Sequence, residues 1–144
     1  MSEQTRNILL IEDDTDHAEL AKFYIHESSE KMTIVTIEDG AAALEYIQAI
    51  REGSQPMPWL ILLDLKVPKY DGHEILSVLK TDEDLSIIPV VIFSTSNSRK
   101  DICEALRTGA NGYIVKPMQP DSYGNVFEKI LAYWELSQHH ICYG

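Results

Sequence analysis

An α/β fold is what this sequence predicts: a parallel β-sheet with helices on both faces. Three observations carry it. Short apolar runs alternate five times with longer segments whose apolar residues recur every three or four positions, and such alternation builds βαβ units with right-handed crossovers. The runs are nearly unbroken, as in Asn7-Ile-Leu-Leu-Ile11 and Trp59-Leu-Ile-Leu-Leu63, which marks strands buried on both faces. Finally, three of the runs stop at ionisable residues: Glu12-Asp13-Asp14, Asp64 and Lys116. In open α/β sheets the ligand crevice lies beyond the carboxyl ends of the strands, so these groups should meet there.

The elements follow in order. A first strand near 7–12 leads to a helix near 15–28, where Leu20, Ala21 and Tyr24 share helical spacing and Asp14, Thr15 or Asp16 supplies the cap. A second strand near 33–37 precedes a helix near 40–52 with Leu44, Ile47 and Ile50 along one face. The turn-rich loop Arg51-Glu-Gly-Ser-Gln-Pro-Met-Pro58 introduces the third strand, near 58–63. Ile75, Val78 and Leu79 give the third helix, near 71–81, its inner face. The fourth strand and helix lie near 89–94 and 98–108, and the fifth strand near 112–115 ends at Lys116-Pro117. The last helix, near 121–137, carries Phe127, Ile130, Leu131 and Trp134. Whether the tail from Ser137 to Gly144 frays or packs is not decided by its sequence. No internal repeat, low-complexity tract or linker interrupts the pattern.

Composition narrows the function. With 144 residues and 44% hydrophobic content, the chain suits one domain with a real core, spanning 1–144 around a core of 6–137, and is too short for that domain plus a DNA-binding or catalytic one. A net charge of -11 repels polyanions and argues against nucleic-acid binding. No apolar run reaches a membrane span, and Met1-Ser2-Glu3-Gln4 lacks a signal-peptide core, so no membrane contact is expected. Two cysteines, Cys103 and Cys142, make no disulfide framework, consistent with a reducing cytoplasm.

Carboxylates from two strand ends in one crevice repel unless a cation lies among them. A set without histidine or cysteine suits a hard cation such as Mg²⁺. Capping of the next helix accounts for one acid near residue 14, but not for Glu12 and Asp13 together with Asp64 and Lys116.

In sum these residues resemble the receiver domains of two-component response regulators. The carriers are Glu12-Asp13, Leu63-Asp64-Leu-Lys-Val-Pro68 with Asp71-Gly72, Ser94-Thr95, and Gly109-Ala-Asn-Gly-Tyr113 leading to Lys116-Pro117, all in family order over roughly residues 6–137. The loop at 51–58 and Tyr133-Trp134 are similar to the stand-alone regulators that accompany bacterial and cyanobacterial phytochrome kinases. The resemblance implies a doubly wound, flavodoxin-like (βα)5 sandwich with strand order 2-1-3-4-5. It implies that Asp64 is the phosphoacceptor. Asp13 and Asp64 would ligate Mg²⁺, Glu12 would act through water, and the backbone carbonyl of Lys66 would complete the protein ligands. Lys116 would pair with Asp64 or its phosphoryl oxygens, Ser94 would donate its hydroxyl to the phosphoryl group, and Tyr113 would turn inward as the switch aromatic. The Lys116–Pro117 bond is expected to be cis. A sensor histidine kinase is the implied phosphodonor, with a histidine phosphotransfer protein or an effector downstream.

The plainer readings stand beside these. Lys66 alone is a surface lysine, Ser94 a strand-end hydroxyl, and Tyr113 a half-buried sheet tyrosine. His17 lies one turn before Leu20 and Ala21, which points to packing at the core boundary. Cys103 packs on the fourth helix. No histidine has zinc-ligand spacing with cysteine.

Three alternatives stand against this function. One is a phosphorylation-independent adaptor of the same fold, against which the full acidic set counts. An aspartate-based phosphatase of the haloacid dehalogenase type would need an acid where Lys66 stands. A flavodoxin-like cofactor protein would need a Ser/Thr/Gly-rich phosphate loop after the first strand. For output, the fourth helix, fifth strand and last helix are expected to form the interaction surface. Ile102 and Leu106 share a helical face, Cys103 and Ala105 offer an alternative inward stripe, and Tyr133 falls off the line of Phe127, Ile130 and Trp134. A homodimer or a heteromeric contact through that surface is the expected assembly.

Overall fold

A computed structural model describes residues 6–143. Met1-Ser2-Glu3-Gln4, on which the signal-peptide reading falls, lies outside the described residues. Five strands, β1 (Arg6–Ile11), β2 (Met32–Ile37), β3 (Leu60–Leu63), β4 (Val90–Ser94) and β5 (Gly112–Val115), form one parallel sheet in the order β2-β1-β3-β4-β5. Between and after them come α1 (Thr15–Ser28), α2 (Gly40–Arg51), α3 (Gly72–Thr81), α4 (Arg99–Thr108) and α5 (Ser122–Leu136). This is the doubly wound topology expected.

The unbroken apolar strands are explained by two cores, one on each face. Leu9, Ile11, Ile61, Leu63, Val90 and Ile92 point to one side, where Ala43 and Ile47 of α2, Ile75, Leu76 and Leu79 of α3, and Ala105 of α4 cover them. Ile8, Leu10, Leu60, Leu62, Val91 and Phe93 point the other way, against Ala21 and Ile25 of α1 and Phe127, Ile130 and Leu131 of α5. Alternation along each strand therefore assigns side chains to two cores rather than to core and solvent. Each fully buried aliphatic side chain contributes about 1.5–3 kcal/mol of hydrophobic stabilisation before entropy is counted.

Element boundaries shift by a residue or two from the sequence reading, for identifiable reasons. Pro58 and Pro89 have no N–H to offer the ladder, so β3 and β4 begin after them. Asp71 and Ser98 are caps rather than first helical residues: their side chains accept from Glu74 N and Asp101 N. Asp14 caps α1, accepting from Asp16 N and His17 N. Two short 3₁₀ turns, Leu85–Ile87 and His139–Cys142, were not anticipated. The second carries the tail, which packs.

One expectation is corrected. The Lys116–Pro117 bond is trans, as are all peptide bonds among the described residues. Trans is the favoured isomer of an X-Pro bond by about 0.5–1 kcal/mol. With the Lys116 amide held by Ser94 O at 2.7 Å, its side chain reaches the crevice without any reversal of the chain.

Candidate functional site

The sheet delivers its charged residues through hydrogen bonds that run one residue past each strand. Glu12 N donates to Ile37 O at 2.9 Å, Asp64 N to Ile11 O at 3.0 Å, and Lys116 N to Ser94 O at 2.7 Å. Each backbone is thus fixed where the ladder ends, and the side chains emerge together at the carboxyl edge.

At their centre is the Lys116 ammonium. It donates to Asp64 Oδ2 at 2.9 Å, to Glu12 Oε1, and to His17 Nδ1 at 2.9 Å. Lys116, Glu12 and Asp64 are all buried, while Asp13 is exposed at the mouth. Glu12 Oε2 accepts from Asp14 N at 3.3 Å, and Asp64 Oδ1 accepts from Lys66 N at 3.1 Å. The Lys66 side chain is exposed, in keeping with the surface reading of that side chain.

Two carboxylates sharing one ammonium do not titrate alike. Burial pushes Glu12 up to about 7; the hydrogen bond from Lys116 opposes this, and the charge of Asp64 adds to it. Burial also works against the Asp64 anion, but Lys116, the Lys66 amide and the hydrogen bond with Glu12 outweigh it and hold Asp64 below the usual carboxylate range. Lys116 is held above its ordinary value because Asp64 and Glu12 overcome its desolvation. Of the two carboxylates Glu12 therefore takes up a proton the more readily, and Asp64 remains an anionic oxygen nucleophile.

Glu12, Asp13 and Asp64 each offer a carboxylate oxygen, and these oxygens lie within 4.8 Å of one another. Three hard oxygen donors, two of them buried, fit Mg²⁺ in donor chemistry.

Ser94 is fully buried at the end of β4, its hydroxyl accepting from Ser96 N at 3.3 Å. Tyr113 is half-buried and turned inward, and its hydroxyl donates to Ser96 O at 2.8 Å. The Ser96 hydroxyl donates to Asp101 Oδ2 at 2.6 Å, and the other oxygen of Asp101 pairs with His73 Nε2 of α3 at 3.2 Å. The loop after β4 is thereby tied to Tyr113 on one side and to α3 and α4 on the other.

The structure places Glu12, Asp13, Asp64 and Lys116 in one crevice, with Ser94 at the end of β4 and Tyr113 in β5. The sequence reading missed His17, assigned to core-boundary packing, and the Ser96–Asp101–His73 chain. A signal for His17 existed: the first turn of the helix following Glu12-Asp13 must begin at the crevice. Ile102, Leu106 and Tyr133 have no part in these contacts. Ile102 is half-buried, whereas Leu106 and Tyr133 are exposed. Ala105 is the buried residue of α4, and Cys103 is half-buried like Ile102.

Comparison with known proteins gives one picture. Residues 8–127 match the response regulator receiver domain family. The chain is 39% identical over 127 residues to the probable methanogenesis regulatory protein FilR2 of Methanothrix harundinacea, covering 88% of this chain and 82% of that protein. It is 33% identical over 128 residues to response regulator Rcp1 of Synechocystis, covering 88% and 87%. Among solved structures, the phosphorylated cyanobacterial phytochrome response regulator RcpA superimposes with a TM-score of 0.85 at 33% identity, covering 92% of this chain and 96% of that one. The Mn²⁺-bound form of Rcp1 gives 0.83 at 31% identity, with the same coverage.

Proposed function

This chain belongs to the response regulator receiver domain family, and from that premise we propose that it is a single-domain phosphoacceptor switch acting on Asp64. The observation that carries the reading is the buried Lys116 ammonium bridging Asp64 and Glu12, with Asp13 beside them. A purely structural ion pair would need one carboxylate; a phosphoryl-transfer site needs charge of both signs around one anionic nucleophile.

In the proposed reaction an Asp64 oxygen attacks the phosphorus of a phosphohistidine, the P–N bond breaks, and the imidazole leaves with its electron pair. Asp64 needs no general base because it is already ionised. Asp13 and Asp64 would hold Mg²⁺ directly, Glu12 through water, and the Lys66 carbonyl would complete the protein ligands. When bound, the cation neutralises charge between the carboxylates and the incoming phosphoryl oxygens. Lys116 follows the transferred oxygens, and Ser94 gives up the Ser96 amide to donate to one of them. Tyr113, already bonded to Ser96 O, registers that movement of the loop.

The phosphodonor we propose is a sensor histidine kinase. The likeness to Rcp1 and RcpA, the latter described as a phytochrome response regulator, supports a kinase of that kind. A phosphotransfer protein or an effector would lie downstream. No helix among the described residues is long and apolar enough to cross a membrane, and we place the protein in the cytoplasm. Output would run through α4, β5 and α5, where Leu106, Val115 and Tyr133 are exposed apolar residues, toward a second copy or an effector.

Incubation with Mg²⁺ and acetyl phosphate tests the reading. Wild type should acquire an acid- and base-labile label on Asp64, and Asp64→Asn should acquire none while keeping its fold; undiminished label on the variant refutes the assignment. Leu106→Glu and Tyr133→Glu should disrupt self-association or partner capture and leave labelling intact. Unchanged sedimentation and capture for both would move the output surface elsewhere.

A further inference from the structure

A lysine ammonium has three N–H donors and no acceptor. All three of Lys116's are used, on Asp64, Glu12 and His17. Because Lys116 can only donate, His17 Nδ1 accepts, and the ring carries its proton on Nε2. The neighbouring carboxylates do not compete for this nitrogen: Glu12 Oε1 and Asp14 Oδ2 lie 3.8 and 3.6 Å from Nδ1, beyond hydrogen-bond reach.

The three partners differ in what the reaction asks of them. In the proposed function Asp64 becomes an acyl phosphate and Glu12 turns toward a hydrated cation. Both are then altered as partners of the lysine. His17 alone has no second duty. It is uncharged as an acceptor, and its backbone is held by the helix cap: Asp14 Oδ1 accepts from the His17 and Asp16 amides at 3.1 and 3.0 Å, fixing the first turn of α1. Resting on the phosphoacceptor reading, we infer that His17 is a positioning residue that holds the Lys116 ammonium over Asp64 when Glu12 is drawn to the cation. A neutral acceptor suits that task. A third carboxylate there would bind the lysine too tightly for it to follow the phosphoryl oxygens and would deepen the repulsion around Asp64.

Three variants separate this role from packing. His17→Leu fills the space without an acceptor, His17→Ala removes both, and His17→Asn places a side-chain oxygen near the position of Nδ1. With acetyl phosphate and Mg²⁺, the initial labelling rate of Asp64 should fall about tenfold in the Leu and Ala variants and return to within about threefold of wild type in His17→Asn. The second measurement does not depend on turnover: hydrogen exchange at the Lys116 ammonium, followed by NMR on ¹⁵N-lysine protein with Mg²⁺ present. Exchange should accelerate in His17→Leu and His17→Ala and remain slow in His17→Asn. The inference is overturned if wild type labels normally and the variants match it in both measurements, or if His17→Asn behaves like His17→Leu. A wild type that takes no label overturns the phosphoacceptor reading itself, and this inference with it.

Discussion

Two carboxylates around one buried ammonium leave Glu12 as the residue where solution pH meets the site. Its affinity for protons is raised from 4.5 to about 7, mainly by burial. The folded protein therefore binds a proton at Glu12 that the unfolded chain has released. The resulting stability is full below pH 4.5 and is lost as pH rises to about 7. The depressed Asp64 acts in a lower window, present above its ordinary 3.8 and lost on acidification through its folded value. The raised Lys116 contribution is lost only at alkaline pH. His139 works in the opposite sense near its ordinary 6.5, since burial weakens its protonation in the fold. The difference between wild type and Glu12→Gln removes such background. In metal-free protein that difference should shrink by up to about 3 kcal/mol between pH 4.5 and 7, measured by urea unfolding; a flat difference would show that Glu12 titrates normally. At this scale the sequence was readable where the chemistry sits on strand ends, because a strand end fixes both position and direction. His17 was not readable in the same way. Its spacing from Leu20 and Ala21 fits a core boundary as well as a crevice, and only the orientation of α1 over β1 decides.

Elements aim these residues, and α3 closes tightly against the loop after β3. Gly72 N donates to Leu65 O at 2.8 Å, which brings the helix start against the phosphoacceptor loop. A Cβ at Gly72 would lie 2.5 Å from Leu65 Cα and 2.6 Å from Asp64 O. These are backbone atoms with no rotamer to yield, so Gly72→Ala must displace the loop. It should cost about 1–3 kcal/mol and slow labelling of Asp64. Gly112→Ala is the control, since its Cβ would meet only Val91 methyl groups at 3.9 Å. Equal melting temperatures and labelling rates for the two variants would contradict this account. The Asp-Gly pair was visible in the sequence as part of a motif; the clash that requires glycine was not, because it joins residues 64, 65 and 72 only in the fold. The turn Leu85–Ile87 was equally hidden. Lys80 Nζ organises it by donating to Ser86 O, Ile88 O and Asn111 Oδ1 at 3.0, 2.9 and 2.8 Å. Lys80 and its partners join α3, the turn and the segment before β5, and no local pattern signals such a clamp. Helix and strand type were legible for the converse reason: each is set by the periodicity of one short segment.

Across the whole molecule the sheet separates two tasks by its length. The crevice occupies the carboxyl ends of the strands, while the tail closes the amino end of β3. His139 Nε2 donates to Trp59 O at 2.9 Å, and its ring packs 5.9 Å from Trp59 and 5.2 Å from Trp134. Arg6 lies over the other side of this group, 5.1 Å from the Trp59 ring centre. Tyr143 continues past it to pack against the opposite core. The tail thus bridges both apolar layers at one edge, which no reading of residues 138–144 could foresee, because its partners are set by where Trp59 and Trp134 come together. Five residue steps of extended chain separate Trp59 from Asp64, roughly 16 Å. Removal of residues 138–144 should therefore lower stability by about 1–3 kcal/mol through exposed aromatic surface, and it should shift tryptophan emission to the red. Labelling of the folded protein at Asp64 should keep its wild-type rate, since no hydrogen bond of the tail's described residues reaches the crevice. A truncated protein that melts and fluoresces like the full chain would mean the tail does not seal this edge. One that folds normally but labels slowly would mean the two ends of the sheet are coupled, with the core of β3 between them as the route.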